Sequence, residues 1–317
     1  MALPTSGPIS LNEIHIEAGG TSGTTASIND ADIRALIGKA SGATMSFSEW
    51  YGASAAVTIN LTIGANTNNY NIQNSRGGTY VAGVTTVNLT INSGVTVGST
   101  STGTYALETG TGWASGDVIN IINNGTIKGR GGNGGAGGDV VYGSSMTDGT
   151  DGGVGGNAFR ANFATTFTNN GSVYGGGGGG GGGGATEGLE TKTLQEFAYG
   201  GGGGGGGAGV NSGTGGAGGT ASGAPILNYN GDAGSSGTAT AGGAGGDGGW
   251  NNSASTTPGA DGGAGGGLGS SGVSGATGTN LVNTPGGDGG LAGFYQVGSS
   301  LINGGSGIGG TVGGRSS

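Results

Sequence analysis

Apolar and polar residues alternate strictly along much of the first third of this chain. Val57, Ile59, Leu61 and Ile63 fall on one face and Thr58, Asn60 and Thr62 on the other, which predicts a half-buried strand. The alternation returns at Val87, Leu89 and Ile91 and again through Val95 and Val97. Residues 117–127 add the run Val-Ile-Asn-Ile-Ile, broken by a turn at Asn124-Gly125. A compact β-rich domain over 53–127 is the expectation, at the small end of what folds alone. Asn60-Leu-Thr and Asn88-Leu-Thr match a glycosylation sequon, but without a secretory signal they read as polar faces of strands.

Residues 1–52 follow a helical pattern instead. Ser10-Leu-Asn-Glu13 reads as a capping box ahead of Ile14 and Ile16, and Ser27 or Asn29 precedes a second short helix through Ile37, closed by Gly38. A third turn, Ser46 to Tyr51, carries Phe47 and Trp50. A segment this small buries little area by itself. It is therefore expected to dock on something else. Ile9-Ser-Leu-Asn-Glu-Ile14 with Met45-Ser-Phe-Ser-Glu-Trp-Tyr-Gly52 resembles short N-terminal segments of phage virion structural proteins, which implies a virion partner, a fibre or baseplate protein, met through Ile14, Ile37, Phe47 and Trp50.

Beyond residue 128 the hydrophobic period disappears into glycine. Of 90 glycines, 17 lie in residues 1–124, which leaves 90 − 17 = 73 for the remaining 193 residues. Gly129 to Gly138 holds paired glycines, ten in a row occupy 175–184, and eight occupy 200–207. Glycine this dense ordinarily signals disorder, because each residue loses much backbone freedom on ordering. Charged residues are 8% of the chain and Pro numbers five, however, whereas disordered tracts are rich in both. A run of eight to ten glycines is a poor α-helix and has no side chains to pack as a strand. The ordered state left open is the polyproline-II conformation, three residues per turn with no internal hydrogen bond, whose outward amides can bond neighbouring rods. Collagen is excluded, since no strict Gly-X-Y period is kept and Pro is scarce. The expected fold class is mostly β and irregular: a small helical N-terminal segment, a β-rich domain, then a stack of about ten polyglycine-II helices over 128–317.

Charge and composition then remove several functions. The net charge is −9, divided as 3 − 7 = −4 over 1–124 and 5 − 10 = −5 over the rest, with no Lys/Arg cluster, which argues against a nucleic-acid partner. No apolar stretch approaches 18 residues and no signal peptide opens the chain, so membrane insertion and Sec export are not expected, and synthesis in a host cytoplasm is. The lone histidine, His15, and the absence of Cys exclude His-based triads from the glycine region. Glu187 and Glu190 could in principle serve a depolymerase, but they read as a solvated loop. Gly242 to Trp250 begins like a calcium-binding nonapeptide, yet Gly249 replaces its large apolar residue and no tandem copy follows. No metal or cofactor is expected. Asp139, Asp247, Asp261 and Asp288 are expected to cap rod ends through backbone amides.

The order of segments carries a family resemblance. A β-rich part, then Gly129-Arg-Gly-Gly-Asn-Gly-Gly135, a loop, and Asn169-Asn-Gly-Ser-Val-Tyr-Gly175 leading into the ten-glycine run resemble the receptor-binding fibre-tip adhesins of T-even-like phages, over about residues 85–317. The resemblance implies a polyglycine-II stack whose connecting segments project at the distal end toward a bacterial outer-membrane protein or lipopolysaccharide. It also implies a virion location, on a tail fibre or baseplate. Segment 1–52 stands where the family has its fibre-attachment region, and it departs from that region's pattern.

Large residues between the glycine segments are the candidate contacts, because no ordinary core is there to absorb them and aromatic anchors are common at interfaces. These are Tyr142, Met146, Leu189, Lys192, Leu194, Phe197, Tyr199, Tyr229, Trp250 and Leu281. If the rods run up and down, alternate connections (139–150, 185–199, 224–231, 250–258 and 276–285) gather at one end. Phe159, Phe163 and Phe167, spaced by four, read as packing near the base. A glycine-rich surface-matrix protein is the alternative function, and a polysaccharide depolymerase the next.

Overall fold

In the computed structural model, the structure describes residues 2–190, 195–250, 259–279 and 282–317. Its β part is a parallel solenoid wound around one side-chain core. Strands Val57–Ile63, Thr85–Ile91, Val118–Asn123 and Thr165–Asn169 stack in parallel as the first sheet. A second sheet orders 67–68, 96–98, 126–128, 172–174 and 311–313, and a third orders 70–71, 105–108, 157–160, 294–297 and 315–316. Each of the first four coils contributes one strand to each sheet, and the fifth adds a strand to the second and third sheets.

Register aligns like with like. Leu61, Leu89, Ile121 and Phe167 form one inward column, and Val97, Ile127, Val173 and Val312 another. On the solvent side the Asn88 amide donates to Asn60 Oδ1 at 3.0 Å and Asn120 donates to Asn88 Oδ1 at 2.9 Å. The two sequon asparagines are thus rungs of one amide ladder. Phe159 and Phe167 are buried in the core with ring centroids 5.0 Å apart, and Phe163 packs partly against it.

The β part does not end near residue 127, as the alternation had suggested. Strands from 157–174 and 294–316 complete the third and fourth coils and add a fifth. Sequence continuity misled here, because the chain leaves the solenoid at one corner and returns to it later. In the second coil that corner is 99–104; in the third it is 129–156, and in the fourth 175–293. The glycine region occupies these two excursions. Loop closure costs grow slowly with length, so a coil tolerates such insertions.

Ten extended segments make up the excursions: 129–138, 148–156, 175–185, 200–209, 211–220, 231–238, 241–250, 259–267, 270–278 and 284–293. Successive segments run in opposite directions; the amides of Thr150, Gly153 and Gly156, for example, donate to the carbonyls of Ala136, Asn133 and Arg130. Hydrogen bonds run between segments with a period of three. Gly176, Gly179 and Gly182 donate to segment 148–156, Gly177, Gly180 and Gly183 to 200–209, and Gly178, Gly181 and Gly184 to 270–278, all at 2.8–3.0 Å. Segment 175–185 also accepts bonds from 129–138, 259–267 and 284–293, so it has six neighbours. Segment 200–209 is likewise bonded to six: 129–138, 175–185, 211–220, 231–238, 241–250 and 259–267.

This geometry explains the two long glycine runs. A Cβ at Gly179 would overlap the carbonyl of Asn133, and the segment that carries Gly179 is bonded on every side. The eight outer segments have an open side and admit a side chain at every third position, as at Asn211, Thr214, Ala217 and Thr220, all exposed. Asp and Asn there accept amides from adjacent segments: Asp139 Oδ1 takes Thr220 N at 2.6 Å, Asp261 Oδ1 takes Gly248 N at 2.9 Å, and Asp151 Oδ1 takes Asp288 N at 2.7 Å. The cap expected of Asp288 is thus supplied by Asp151, while Asp288 Oδ1 accepts a long 3.4 Å bond from Ser274.

Residues 2–56 form a separate small core of Leu3, Ile14, Ile33 and Trp50, with the Trp50 indole donating to the Ile33 carbonyl at 3.1 Å. Both capping boxes, Ser10 with Glu13 and Ser46 with Glu49, are formed. The second helix is Ala31–Ala35 and its N-cap is Asp30, not Ser27 or Asn29. Two of the four expected docking residues are therefore interior. Ile14 and Trp50 are fully buried, Ile37 is half-buried, and Phe47 stays exposed, as do Ile16 and Tyr51.

Candidate functional site

The alternation of direction fixes where the connections fall. Segments joined through 139–147, 186–199, 221–230, 251–258 and 279–283 turn at the end away from the solenoid, whereas 210, 239–240 and 268–269 turn beside it. The far-end connections are long and varied. Those near the solenoid are one or two residues.

Among the described residues, the far end carries two small sheets. Residues Thr186–Glu190 and Gln195–Tyr199 form an antiparallel hairpin, flanked by the parallel strand Leu227–Tyr229 and the antiparallel strand Val282–Asn283. A second sheet joins Val140–Val141 with Ser145–Met146 and Ala221–Ser222. Between the sheets Val140, Ala185, Ala198 and Ala224 form a small core, with Tyr142 and Met146 packed partly against it. On the other face of the hairpin Phe197 and Tyr199 stack at 4.8 Å, next to Leu227 and Tyr229. Gly188 lies directly under the Phe197 ring, where a Cβ would meet its edge at 2.9 Å.

These contacts divide the candidate residues. Phe197 and Tyr199 are buried, so the receptor-facing role expected for them is not available; their rings pack with Leu227. Tyr142 and Met146 are half-buried. Leu189, Tyr229 and Trp250 are exposed, Trp250 by 52%. Lys192, Leu194 and Leu281 lie outside the described residues, as do 251–258 of the fourth connection. Sequence reasoning missed Val141, Ile226 and Val282, which are 41%, 58% and 49% exposed at this end. For Ile226 the signal was present, a large apolar residue directly after Ala224-Pro225 in a turn-forming stretch.

Polar links tie the first connection to the second. Gly143 N donates to Glu187 Oε2 at 2.9 Å, and the Tyr142 hydroxyl bonds to Glu196. Burial raises the Tyr142 phenol above its usual pKa, and the charges of Glu196 and Glu187 add to the effect. Among the described residues no His, Asp and Glu group could hold a metal ion, and no helix is long and apolar enough to cross a membrane.

The model of the family described as phage tail fibre adhesin Gp38 matches residues 58–316. The chain belongs to that family. A search of curated proteins finds no match. A solved structure, the crystal structure of the gp37-gp38 adhesin tip complex of the bacteriophage S16 long tail fiber, aligns over 97% of this chain and 99% of that one. The identity is 20% and the TM-score 0.39. Family membership makes the protein a phage tail component with an adhesive function.

Proposed function

We propose that this adhesin sits at the tip of a tail fibre and recognises a host surface receptor through the connections at the far end of its glycine segments. One observation carries the reading: at the end of the backbone-bonded scaffold away from the solenoid, Leu189, Ile226, Tyr229, Trp250 and Val282 are exposed. Such a scaffold does not depend on the sequences it presents, so the contact surface is free to vary. The ten segments are read as polyglycine-II helices, supported by their three-residue bonding period and the absence of positive φ in the runs 175–184 and 200–207. No catalytic step is assigned. Segment 1–52 is read as the attachment to a fibre or baseplate protein, with Ile16, Phe47 and Tyr51 replacing Ile14 and Trp50 as its contact residues.

The test uses surface positions, because replacing the whole hairpin would remove buried Phe197 and Tyr199. The triple variant Leu189→Ser, Ile226→Ser, Trp250→Ser is expected to melt within about 2 °C of the parent, since exposed substitutions cost little. Its saturable binding to intact host cells should fall by a factor of about 30 or more, as for loss of interface hot spots. Unchanged binding would move the receptor site elsewhere. Release of reducing sugar from cells by the parent protein would favour the depolymerase.

A further inference from the structure

The net charge of the protein resides at one end. Residues 131–156 and 175–293 hold ten acidic residues and one base, Lys192, giving 1 − 10 = −9. The remainder holds seven of each sign, 7 − 7 = 0, which accounts for the whole chain's −9. Within the glycine segments the acids lie toward the far end. Asp139 is bonded to Thr220 and Asp151 to Asp288, both near the tip, and the bonds of Asp232 with Gly203 and Asp247 and of Asp261 with Ala276 put those three at about the same level. Asp148, Glu187, Glu190 and Glu196 belong to the tip or its margin. At the solenoid end stand Lys128, Arg130, Arg160 and Arg315.

Hydrogen-bond demand does not explain this choice of acids. Outer segments need acceptors for outward amides, but neutral asparagine meets the same need: Asn133 Oδ1 accepts Thr214 N at 3.2 Å and Asn230 Oδ1 accepts Ala221 N at 2.8 Å. Accepting an amide also leaves a carboxylate charged. Solubility would be served by acids anywhere on the surface, yet here the rest of the chain is neutral. The acids therefore gather at the same end as the exposed apolar residues Leu189, Ile226, Tyr229, Trp250 and Val282, and the combination specifies a complementary surface.

We propose, resting on the receptor reading above, that the host surface bound by this tip is an exposed protein loop rich in Lys and Arg around apolar side chains. A phosphate-bearing saccharide would meet nine net negative charges with its own. Charge of this size acts at a distance mainly on the encounter, so its signature is an association rate that falls with salt.

The experiment follows association of the purified full chain with intact host cells to which it binds saturably. The comparison is with Asp232→Asn, Asp247→Asn, Asp288→Asn, a triple variant that removes charge beside the patch without touching the exposed apolar residues. From about 20 to about 200 mM NaCl the parent's rate is expected to fall about ten-fold. The variant should start about three-fold slower or more, respond less steeply and converge with the parent at the higher salt, with an unchanged melting temperature. Saturable binding that ignores salt, or a variant that associates faster, would overturn the proposal while leaving the receptor reading intact. Faster association when MgCl2 replaces NaCl at equal ionic strength would overturn it in favour of an anionic, cation-bridged saccharide. Failure to bind any cells saturably would overturn both readings.

Discussion

The solenoid and the glycine segments solve the same problem with opposite materials. In the solenoid, columns such as Leu61, Leu89, Ile121 and Phe167 exclude water with side chains, and the backbone bonds follow from the stacking. In the glycine region the interior segments 175–185 and 200–209 are bonded to six neighbours each, and the interior consists of peptide groups. One core tolerates changes of side-chain shape at a graded cost. The other has no side chain to repack, so a single added carbon meets backbone on every side.

The largest expected effect follows from that contrast. Gly179→Val in the central segment should cost about 4 kcal/mol or more and deplete folded protein, because the Asn133 carbonyl cannot move without breaking bonds in the neighbouring segment. Ala217→Val, exposed on an outer segment, should stay within about 0.5 kcal/mol. Chemical denaturation of the two proteins measures the difference. Equal effects would mean that the central segment can shift, and the distinction between interior and outer segments would fail.

Next in size is truncation in the solenoid core. Leu89→Ala removes a buried side chain and should cost about 3 kcal/mol, in the range for such cavities. Its loss should be read in the solenoid alone: hydrogen exchange is expected to rise in strands 57–63, 85–91 and 118–123 and to stay slow at amides 176–184. Uniform acceleration of both regions would show that they unfold as one unit.

How much of this was legible in the sequence depended on which material was in use. Strands 57–63 and 85–91 were readable because a core made of side chains writes its period into the sequence. Glycine runs at 175–184 and 200–207 were readable for the complementary reason, since full enclosure leaves glycine alone. The closure of the solenoid was not legible. Strand 157–160 pairs with 105–108, and 294–297 with 157–160, across excursions that no local pattern spans. At the tip the up-and-down argument placed the connections, but not the burial of Phe197 and Tyr199. That depends on the pairing of 195–199 with 227–229, whose neighbours in space are distant in sequence.

Asp117 offers a smaller, pH-dependent effect confined to the solenoid. Its carboxylate accepts from the amides of Gly83, Thr85 and Ala114 and from the Tyr80 hydroxyl, pinning the entries of two coils. Burial pushes the carboxyl upward, but these four bonds outweigh it and hold the pKa below the ordinary value. A depressed folded-state pKa means that the stabilisation is complete above the unfolded value of about 3.9 and is lost as the pH falls through the folded one. Asp117→Asn should cost about 2 kcal/mol at pH 7 and flatten the acid limb of the melting curve. An unaltered acid limb would assign acid sensitivity to other groups.

The smallest effect tests whether polar stacking adds to the solenoid's apolar core. Asn88 stands mid-ladder, donating to Asn60 and accepting from Asn120, so Asn88→Ala breaks two amide bonds, while Asn60→Ala at the end of the ladder breaks one. Both positions are open enough for water to replace the lost partners, which keeps the cost near the low end for hydrogen bonds. About 1 kcal/mol is expected for Asn88 and about half of that for Asn60, measured by denaturant midpoint at constant slope. Asn123 differs because it is fully buried: it donates to Asn169 at 2.8 Å and accepts from Gly125 N at 3.1 Å, so alanine there strands a buried amide and should cost about 2 kcal/mol. The order Asn123, Asn88, Asn60 follows from water access and bond count together. A loss at Asn88 as large as that of Leu89→Ala would show that the solenoid, like the glycine segments, is held chiefly by its polar bonds, and the contrast between the two regions would narrow to the presence of side chains alone.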